Sequence, residues 1–168
     1  MNELTSAPLP DLSLDDHLRG PSDAPVAVLY SDFECPYCGA LAAKLRGVRL
    51  RVAFRHFPVR TSHPRAWAAA CAAEAAGRQE RFWEMHDLLF ADQARLEDPH
   101  LWDRARRLSL DLERFDLDRR GEAVRARVAA SFRAGVRAGV VTTPTLFVAC
   151  SGAPPAMVDG DELEQLLG

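Results

Sequence analysis

Two cysteines set three positions apart, Cys35 and Cys38, are the residues of this 168-residue chain whose type and spacing best suit chemistry. They lie in the segment 31–38 (SDFECPYC), directly after the apolar run 26–30 (VAVLY). A continuous apolar run is typical of a buried strand, and Pro36 suits the first turn of a helix, where its missing N–H would have no partner. The pattern therefore predicts a dithiol at a strand-to-helix junction.

The two thiols are expected to have different roles. A thiol at the start of a helix faces unpaired backbone N–H groups and the positive end of the helix dipole, both of which favour the thiolate. Cys35 is therefore the predicted nucleophile. Cys38, one turn further in, is placed to attack a mixed disulfide formed on Cys35. This arrangement predicts thiol–disulfide exchange, a reaction for which we expect neither a cofactor nor a metal.

Composition argues against several classes of function. The chain has 48% apolar residues, enough for a sizeable core, and a formal net charge of −3. Its arginines are interspersed with acidic residues and Lys44 is its only lysine, so we expect no nucleic-acid partner. No apolar segment is long enough to span a bilayer, so we expect no membrane insertion. Residues 1–8 lack the pattern of an export signal, which favours a cytoplasmic location; a processed form would be periplasmic or extracytoplasmic.

Periodicity and turn residues predict the elements that position the dithiol. Strands are expected where β-forming residues cluster or where apolar and polar residues alternate, and residues 64–138 have a helical pattern throughout. The predicted order is an edge strand near 12–18, the strand 26–30, the dithiol helix, a strand at 48–57, a helical block at 64–138, a strand at 140–149, a strand at 156–158 and a closing helix at 161–167.

Within the helical block, end signals predict individual helices. An Ala-rich helix should stop at Gly77, and Asp98 should cap a helix whose first residue is Pro99. A short helix should begin at Asp111. A last helix should bury one stripe of apolar residues that recur every four positions: Val124, Val128, Phe132 and Val136.

Five segments together resemble the DsbA-like thioredoxin-fold proteins. They are 31–38 (SDFECPYC), 54–58 (FRHFP), 63–64 (HP), 82–87 (FWEMHD) and 143–145 (TPT), in the order and roughly the spacing of that family. The resemblance covers about residues 18–168. It implies an α/β fold, a thioredoxin domain with an inserted helical domain. The division would be 1–63 for the first part of the thioredoxin domain, 64–138 for the insert and 139–168 for the last part.

The resemblance also implies an activity and a set of site residues. Family members oxidise, reduce or isomerise disulfides, so substrates would be cysteine-containing proteins or small thiols, together with a redox recycling partner. Pro144 would be a cis-proline facing the dithiol, and Thr143 would offer its backbone to an extended substrate segment. Pro36 and Tyr37 would support the two cysteines.

Two departures from the family pattern concern the same site. Members commonly carry a Glu six positions before the first cysteine, where this chain has Leu29. The interval between Cys38 and Phe54 is also short, so the dithiol helix should have only two or three turns. Glu34 is expected to point to solvent, since an inward carboxylate would raise the pKa of the neighbouring thiol.

Other functions stay open at the level of sequence. The CxxC could form a static disulfide, or belong to a non-catalytic module that binds a soft metal or a client cysteine; the chain could also be a glutathione-dependent transferase. No second CxxC or His pair stands at a spacing that would complete a zinc site. Cys71 and Cys150 are interpreted as buried small hydrophobes, and His56, His63 and His86 as structural residues.

Overall fold

The computed structural model describes residues 8–149 and the strand 156–158, and over these residues it has five strands and six helices. Their order and bounds are β1 (His17–Arg19), β2 (Val26–Ser31), α1 (Pro36–Leu45), β3 (Arg51–His56), α2 (Ala66–Gly77), α3 (Phe82–Ala91), α4 (Asp98–Arg107), α5 (Leu112–Arg120), α6 (Glu122–Arg137), β4 (Thr145–Val148) and β5 (Ala156–Val158). The predicted α/β fold class is confirmed. The predicted closing helix at 161–167 lies outside the described residues.

The strands form one sheet in the order β1-β3-β2-β4-β5. Strands β2 and β3 are parallel and are joined through α1, while the other neighbours are antiparallel. Because β2 is the central strand, it is paired along both edges, with β3 and with β4. The dithiol segment therefore leaves the carboxyl end of a strand that is hydrogen-bonded along both edges.

Both faces of the sheet are buried, which explains the continuous apolar run of β2. Ala27 and Leu29 belong to a core shared with α1 and the helices that follow β3, whereas Val28 and Tyr30 belong to a second core on the opposite face. Side chains alternate between the two faces of a strand, so a strand covered on both sides shows no polar period. Leu29 is 3% exposed.

Helices α2 to α6 lie between β3 and β4 and occupy the stretch predicted to be helical. The division into domains at 63/64 and 138/139 stays a prediction. Helix α2 ends at Gly77, and the carboxylate of Asp111 caps α5 by accepting a hydrogen bond from the Arg114 N–H (3.0 Å), as predicted. Across the described residues, no helix has the length and apolarity needed to cross a membrane.

Two details of the helical segment differ from prediction. The cap of α4 is Glu97, and Asp98 is the first helical residue, from which its carboxylate pairs with Arg119 (2.9 Å). Val136 is 55% exposed, whereas Val124 and Val128 are buried. A four-residue step advances about 40° around a helix, so a stripe built on it leaves the core after a few turns.

Helix α6 packs closely against the end of β3 at Gly135. A Cβ atom on Gly135 would lie 2.6 Å from the Phe57 ring and 2.9 Å from the Tyr30 ring. The helix then ends, and Gly139 takes a positive φ of 86° as the chain turns toward β4.

Candidate active site

Cys35 caps the amino end of α1 with extended backbone angles, and Pro36 is the first helical residue. The Cys35 Sγ lies 3.4 Å from the carbonyl oxygen of Thr143, and the backbone N–H of Asp32 donates to the Cys38 Sγ (3.4 Å). Both thiols are covered: Cys35 is 3% exposed and Cys38 is 1% exposed. Accessibility therefore does little to distinguish the two cysteines.

Proton affinity distinguishes them strongly. The pKa of Cys35 is lowered to about 5, chiefly because the Cys38 thiol donates to its sulfur, and backbone N–H groups of Cys38 and Tyr37 add to this against the opposing effect of burial. Burial raises the pKa of the Cys38 thiol far above its ordinary value, and the neighbouring Cys35 raises it further. The site thus holds one thiolate and one thiol at neutral pH.

The Thr143–Pro144 segment forms the wall opposite the dithiol, because β4 pairs antiparallel with β2. Tyr30, near the end of β2, is paired with Thr145, the first residue of β4. The Thr143–Pro144 peptide bond is cis, and Thr145 Oγ1 donates to the carbonyl of Thr142 (2.7 Å). The structure therefore brings together all six residues predicted for the site: Cys35, Pro36, Tyr37, Cys38, Thr143 and Pro144.

Asp32 anchors the active-site turn and was not identified from the sequence. Its buried carboxylate accepts hydrogen bonds from the N–H groups of Glu34 (2.8 Å) and Val59 (2.8 Å) and lies 2.9 Å from His63 Nδ1. Its carbonyl accepts from the Cys35 N–H (3.2 Å). An Asp at a turn could have suggested local side-chain capping, but nothing in the sequence indicated the distant partners.

The expectation that Glu34 points to solvent is wrong. Its side chain is 11% exposed, and its carboxylate accepts hydrogen bonds from the backbone N–H (2.7 Å) and Nε (2.7 Å) of Arg65. Arg65 caps α2 and so brings a cation to the active-site turn. The negative charge beside Cys35 is compensated by this guanidinium instead of by water.

Gln93 is a further neighbour of the dithiol, and no pattern in the sequence indicates it. Its side-chain amide donates to the carbonyl oxygens of Phe33 (2.9 Å) and Cys35 (2.8 Å). Gln93 follows α3, so this contact joins the helical segment to the turn that carries the nucleophile.

Two exposed apolar side chains lie beside the site residues along the chain. Tyr37, inside the CxxC, is 74% exposed, and Val141, two positions before Thr143, is 89% exposed. Cys71, in contrast, is buried in α2, where burial raises the pKa of its thiol to about 11, so it behaves as a small hydrophobe. Cys150 lies outside the described residues.

Known proteins share this fold. Residues 13–150 match the sequence profile of a family described as Thioredoxin. A thioredoxin-like oxidoreductase from Silicibacter pomeroyi DSS-3 is 24% identical with a TM-score of 0.75, covering 91% of this chain and 90% of that one. The thiol-disulfide exchange protein alpha-DsbA2 from Wolbachia pipientis is 18% identical with a TM-score of 0.73, covering 92% of this chain and 86% of that one. At these identities the likeness concerns the fold.

A more similar sequence belongs to a much longer protein. The Na(+)/H(+) antiporter NhaA 1 of Salinispora arenicola is 47% identical over 142 residues, which are 79% of this chain and 21% of that protein. The chain spans about a fifth of the length of the curated relatives it matches.

Proposed function

Because this chain belongs to the Thioredoxin family, through a match over residues 13–150, we propose that it is a thiol–disulfide oxidoreductase that acts through Cys35 and Cys38. The observation that carries the proposal is the placement of Cys35 at the cap of α1, with Cys38 one turn further in and the Thr143 carbonyl oxygen 3.4 Å from the Cys35 sulfur. This placement is accompanied by a lowered pKa of Cys35 and a raised pKa of Cys38. A reactive thiolate beside a protonated partner is the arrangement that disulfide exchange requires.

The exchange proceeds in two displacements. A substrate thiolate attacks the Cys35 sulfur of the Cys35–Cys38 disulfide, that S–S bond breaks, and Cys38 leaves with the electron pair and takes up a proton. A second substrate thiolate then attacks the substrate sulfur of the mixed disulfide, and Cys35 leaves as a thiolate. Two substrate thiols are thereby oxidised to one disulfide, and the enzyme disulfide is reduced to a dithiol. A thiol–disulfide recycling partner restores the enzyme disulfide.

We propose that the oxidising direction is the favoured one. A thiol of low pKa is a good leaving group, and a stabilised Cys35 thiolate favours the reduced enzyme, which makes its disulfide the stronger oxidant. In the reverse direction the Cys35 thiolate would attack a substrate disulfide and Cys38 would resolve the mixed disulfide.

The proposed substrates are cysteine-containing proteins in an extended conformation, with small thiols as simpler ones. Thr143 lies directly opposite Cys35, so its backbone is placed to pair with a substrate strand. The exposed side chains of Tyr37 and Val141 would favour apolar residues next to the client cysteine.

Oxidative refolding of a reduced test protein, together with insulin reduction, tests the proposal. The unaltered chain should turn over in at least the oxidative assay, Cys35→Ser should abolish turnover, and Cys71→Ser should retain it, since Cys71 is buried away from the site. Unchanged activity in Cys35→Ser would contradict the proposal. Zinc or copper held stoichiometrically through dialysis, without turnover, would instead favour a non-catalytic binding module.

The similarity to one part of the antiporters favours a second proposal, about a partner. A segment 47% identical to this chain is part of a protein named as an Na(+)/H(+) antiporter, so we propose that this chain works in contact with a cation antiporter. Chemical cross-linking of the purified chain to such an antiporter in detergent should give a specific product. Failure to form it, while cross-linking of known complexes succeeds, would contradict the partnership.

A further inference from the structure

One side chain of the helical segment holds the turn that carries the nucleophile. Gln93 lies between α3 and α4, and its Nε2 donates one hydrogen to the Phe33 carbonyl (2.9 Å) and the other to the Cys35 carbonyl (2.8 Å). Because both hydrogens of the amide group are used, the carboxamide has a single orientation.

The two carbonyl groups need such a donor. They lie on either side of Glu34 and point toward the same amide, so their oxygens would repel each other without it. The Cys35 carbonyl also accepts the first hydrogen bond of α1, from the Gly39 N–H (3.2 Å). Tilting this peptide would therefore disturb both the cap of α1 and the position of the Cys35 sulfur relative to the N–H groups of Tyr37 and Cys38.

A second observation, at Gly39, points to the same side chain. A Cβ atom on Gly39 would lie 2.4 Å from Gln93 Oε1, and its three nearest atoms would all belong to the Gln93 carboxamide. Gly39 directly follows Cys38 in the active-site helix. The residue after the CxxC thus leaves the space that the carboxamide fills.

The segment around Gln93 is itself fixed to the active-site turn. The Arg65 guanidinium donates to the carboxylate of Glu34 (2.7 Å), to the carbonyl of Ala94 (2.9 Å) and to the carboxylate of Glu97 (2.8 Å). Arg65 therefore connects the turn to the residues on the carboxyl side of Gln93.

We propose that Gln93 is a positioning residue for the exchange reaction. It occupies the space beside Gly39, and Arg65 ties the residues that follow it to the active-site turn. Gln93 thereby sets the orientation of the Cys35 peptide and the stability of the reactive thiolate. The consequence for redox equilibrium rests on the proposed function, whereas the consequence for the thiolate does not. Loss of the amide donor should weaken the thiolate and shift the enzyme toward its disulfide form.

Two substitutions at Gln93 test this directly. Gln93→Met keeps the length without a donor, and Gln93→Glu places a carboxylate against two carbonyl oxygens. Both should raise the Cys35 pKa, Gln93→Glu more, and shift the equilibrium with glutathione toward the Cys35–Cys38 disulfide by about threefold to tenfold, the effect of one hydrogen bond of ordinary net strength. Thiolate absorbance against pH gives the pKa, and mass analysis after acid quenching gives the equilibrium.

Gly39→Ala provides a test that leaves Gln93 in the chain. The three atoms nearest to the added methyl group all belong to the Gln93 carboxamide, and alanine is the stronger helix former, so the variant should fold and should raise the Cys35 pKa. In a Gln93→Ala background the same substitution should have no further effect on the pKa. A Gly39→Ala shift that persists in that background would contradict the proposal.

Gln79 supplies the matched control. Its side chain also bridges backbone groups, donating to the Asp111 carbonyl (3.1 Å) and accepting from the Asp111 N–H (2.9 Å). Gln79→Met and Gln79→Glu should leave the Cys35 pKa unchanged. Suppose that folded Gln93 variants match the unaltered chain within twofold, both in the acid dissociation constant of Cys35 and in the equilibrium constant with glutathione. Gln93 is then structural only and the proposal is overturned. If the unaltered chain does not exchange with glutathione, the proposed function fails, while the pKa comparison still decides the role of Gln93.

Discussion

At the scale of residues, the reactive and resolving cysteines differ in proton affinity and scarcely in exposure. Cys35 and Cys38 are 3% and 1% exposed, yet the pKa of one thiol is lowered to about 5 and that of the other is raised. Cys35, at the cap of α1, receives hydrogen bonds that lower its pKa against the effect of burial, whereas burial, and then the hydrogen bond to Cys35, raise the pKa of Cys38. Reactivity in this site is therefore a property of the pair.

A substitution at Cys38 should accordingly change the acidity of Cys35. Cys38→Ala removes the strongest donor to the Cys35 sulfur and should raise the Cys35 pKa by about one unit. Cys38→Ser keeps a hydroxyl donor and should raise it less. The rate of alkylation by iodoacetamide as a function of pH reports both values. An alkylation midpoint for Cys38→Ala equal to that of the unaltered, reduced chain would contradict this account.

Part of the residue-scale picture followed from sequence. The CxxC spacing identified the thiols, and the resemblance to a known family identified Thr143 and Pro144 as the opposite wall. Sequence patterns do not indicate Asp32 and Gln93, because their partners lie far away in the sequence and both residue types are common in loops. The orientation of the Glu34 side chain is wrongly predicted for the same reason, because it depends on Arg65, a cation 31 positions further along the chain.

At the scale of elements, sequence patterns predicted the kind of each element better than its ends. The apolar run 26–30 predicts strand β2, and the alternation of apolar and basic residues over 48–57 predicts strand β3. Strand β3 begins at Arg51, three residues after the start of that alternation. The cap of α4 is Glu97, one residue before the predicted Asp98. Asp98 instead pairs with Arg119 of α5, and a local sequence pattern cannot reveal this contact between two helices. Tertiary contacts decide such boundaries.

The contact of α6 with the sheet gives a prediction about stability. Gly135→Ala should lower the free energy of unfolding by about 1–3 kcal/mol, because the added methyl group would overlap the Phe57 ring. Gly47→Ala is the matched control, since its nearest neighbouring atom, the Lys44 carbonyl oxygen, lies 3.9 Å from the added carbon. Urea unfolding of the two variants measures the difference. Equal stability of Gly135→Ala and the unaltered chain would show that α6 can move away from the sheet at little cost.

At the scale of the whole molecule, one buried ionic cluster joins the sheet to the helices. Glu74 of α2 lies 2.8 Å from His56 Nε2 of β3, 2.9 Å from His17 Nε2 of β1 and 2.5 Å from Arg127 Nε of α6. Burial opposes the charge on Glu74, yet hydrogen bonds from the two histidines hold the pKa of its carboxyl well below the usual range. Removing the positive charge of Arg127 would leave the buried carboxylate of Glu74 without its cationic partner.

Two buried histidines, one of them in this cluster, predict how stability depends on pH. Burial lowers the pKa of His56 and of His86 below the ordinary 6.5, so the unfolded chain takes up protons that the folded chain does not. Their contribution is complete above pH 6.5 and is lost as pH falls toward their folded values; Glu74 adds a further loss below pH 4.5. In Cys35→Ser, which lacks the thiol of low pKa, the urea midpoint should be level from about pH 7.5 to pH 7 and fall steadily below pH 6. A midpoint that rises as pH falls from 6 to 5 would contradict the assignment of neutral buried histidines.

The central claim is that Cys35 is the sulfur that exchanges with substrate. It is tested most directly by mapping the mixed disulfide formed when reduced variants are mixed with oxidised glutathione. We expect Cys38→Ser to accumulate one stable adduct on Cys35. Its rate of formation should fall as the pH drops through the Cys35 pKa of that variant, somewhat above about 5, because the thiolate is lost. Cys35→Ser should form no adduct on Cys38 at a comparable rate, since its thiol stays protonated. An adduct on Cys38, or none on Cys35, would contradict the account.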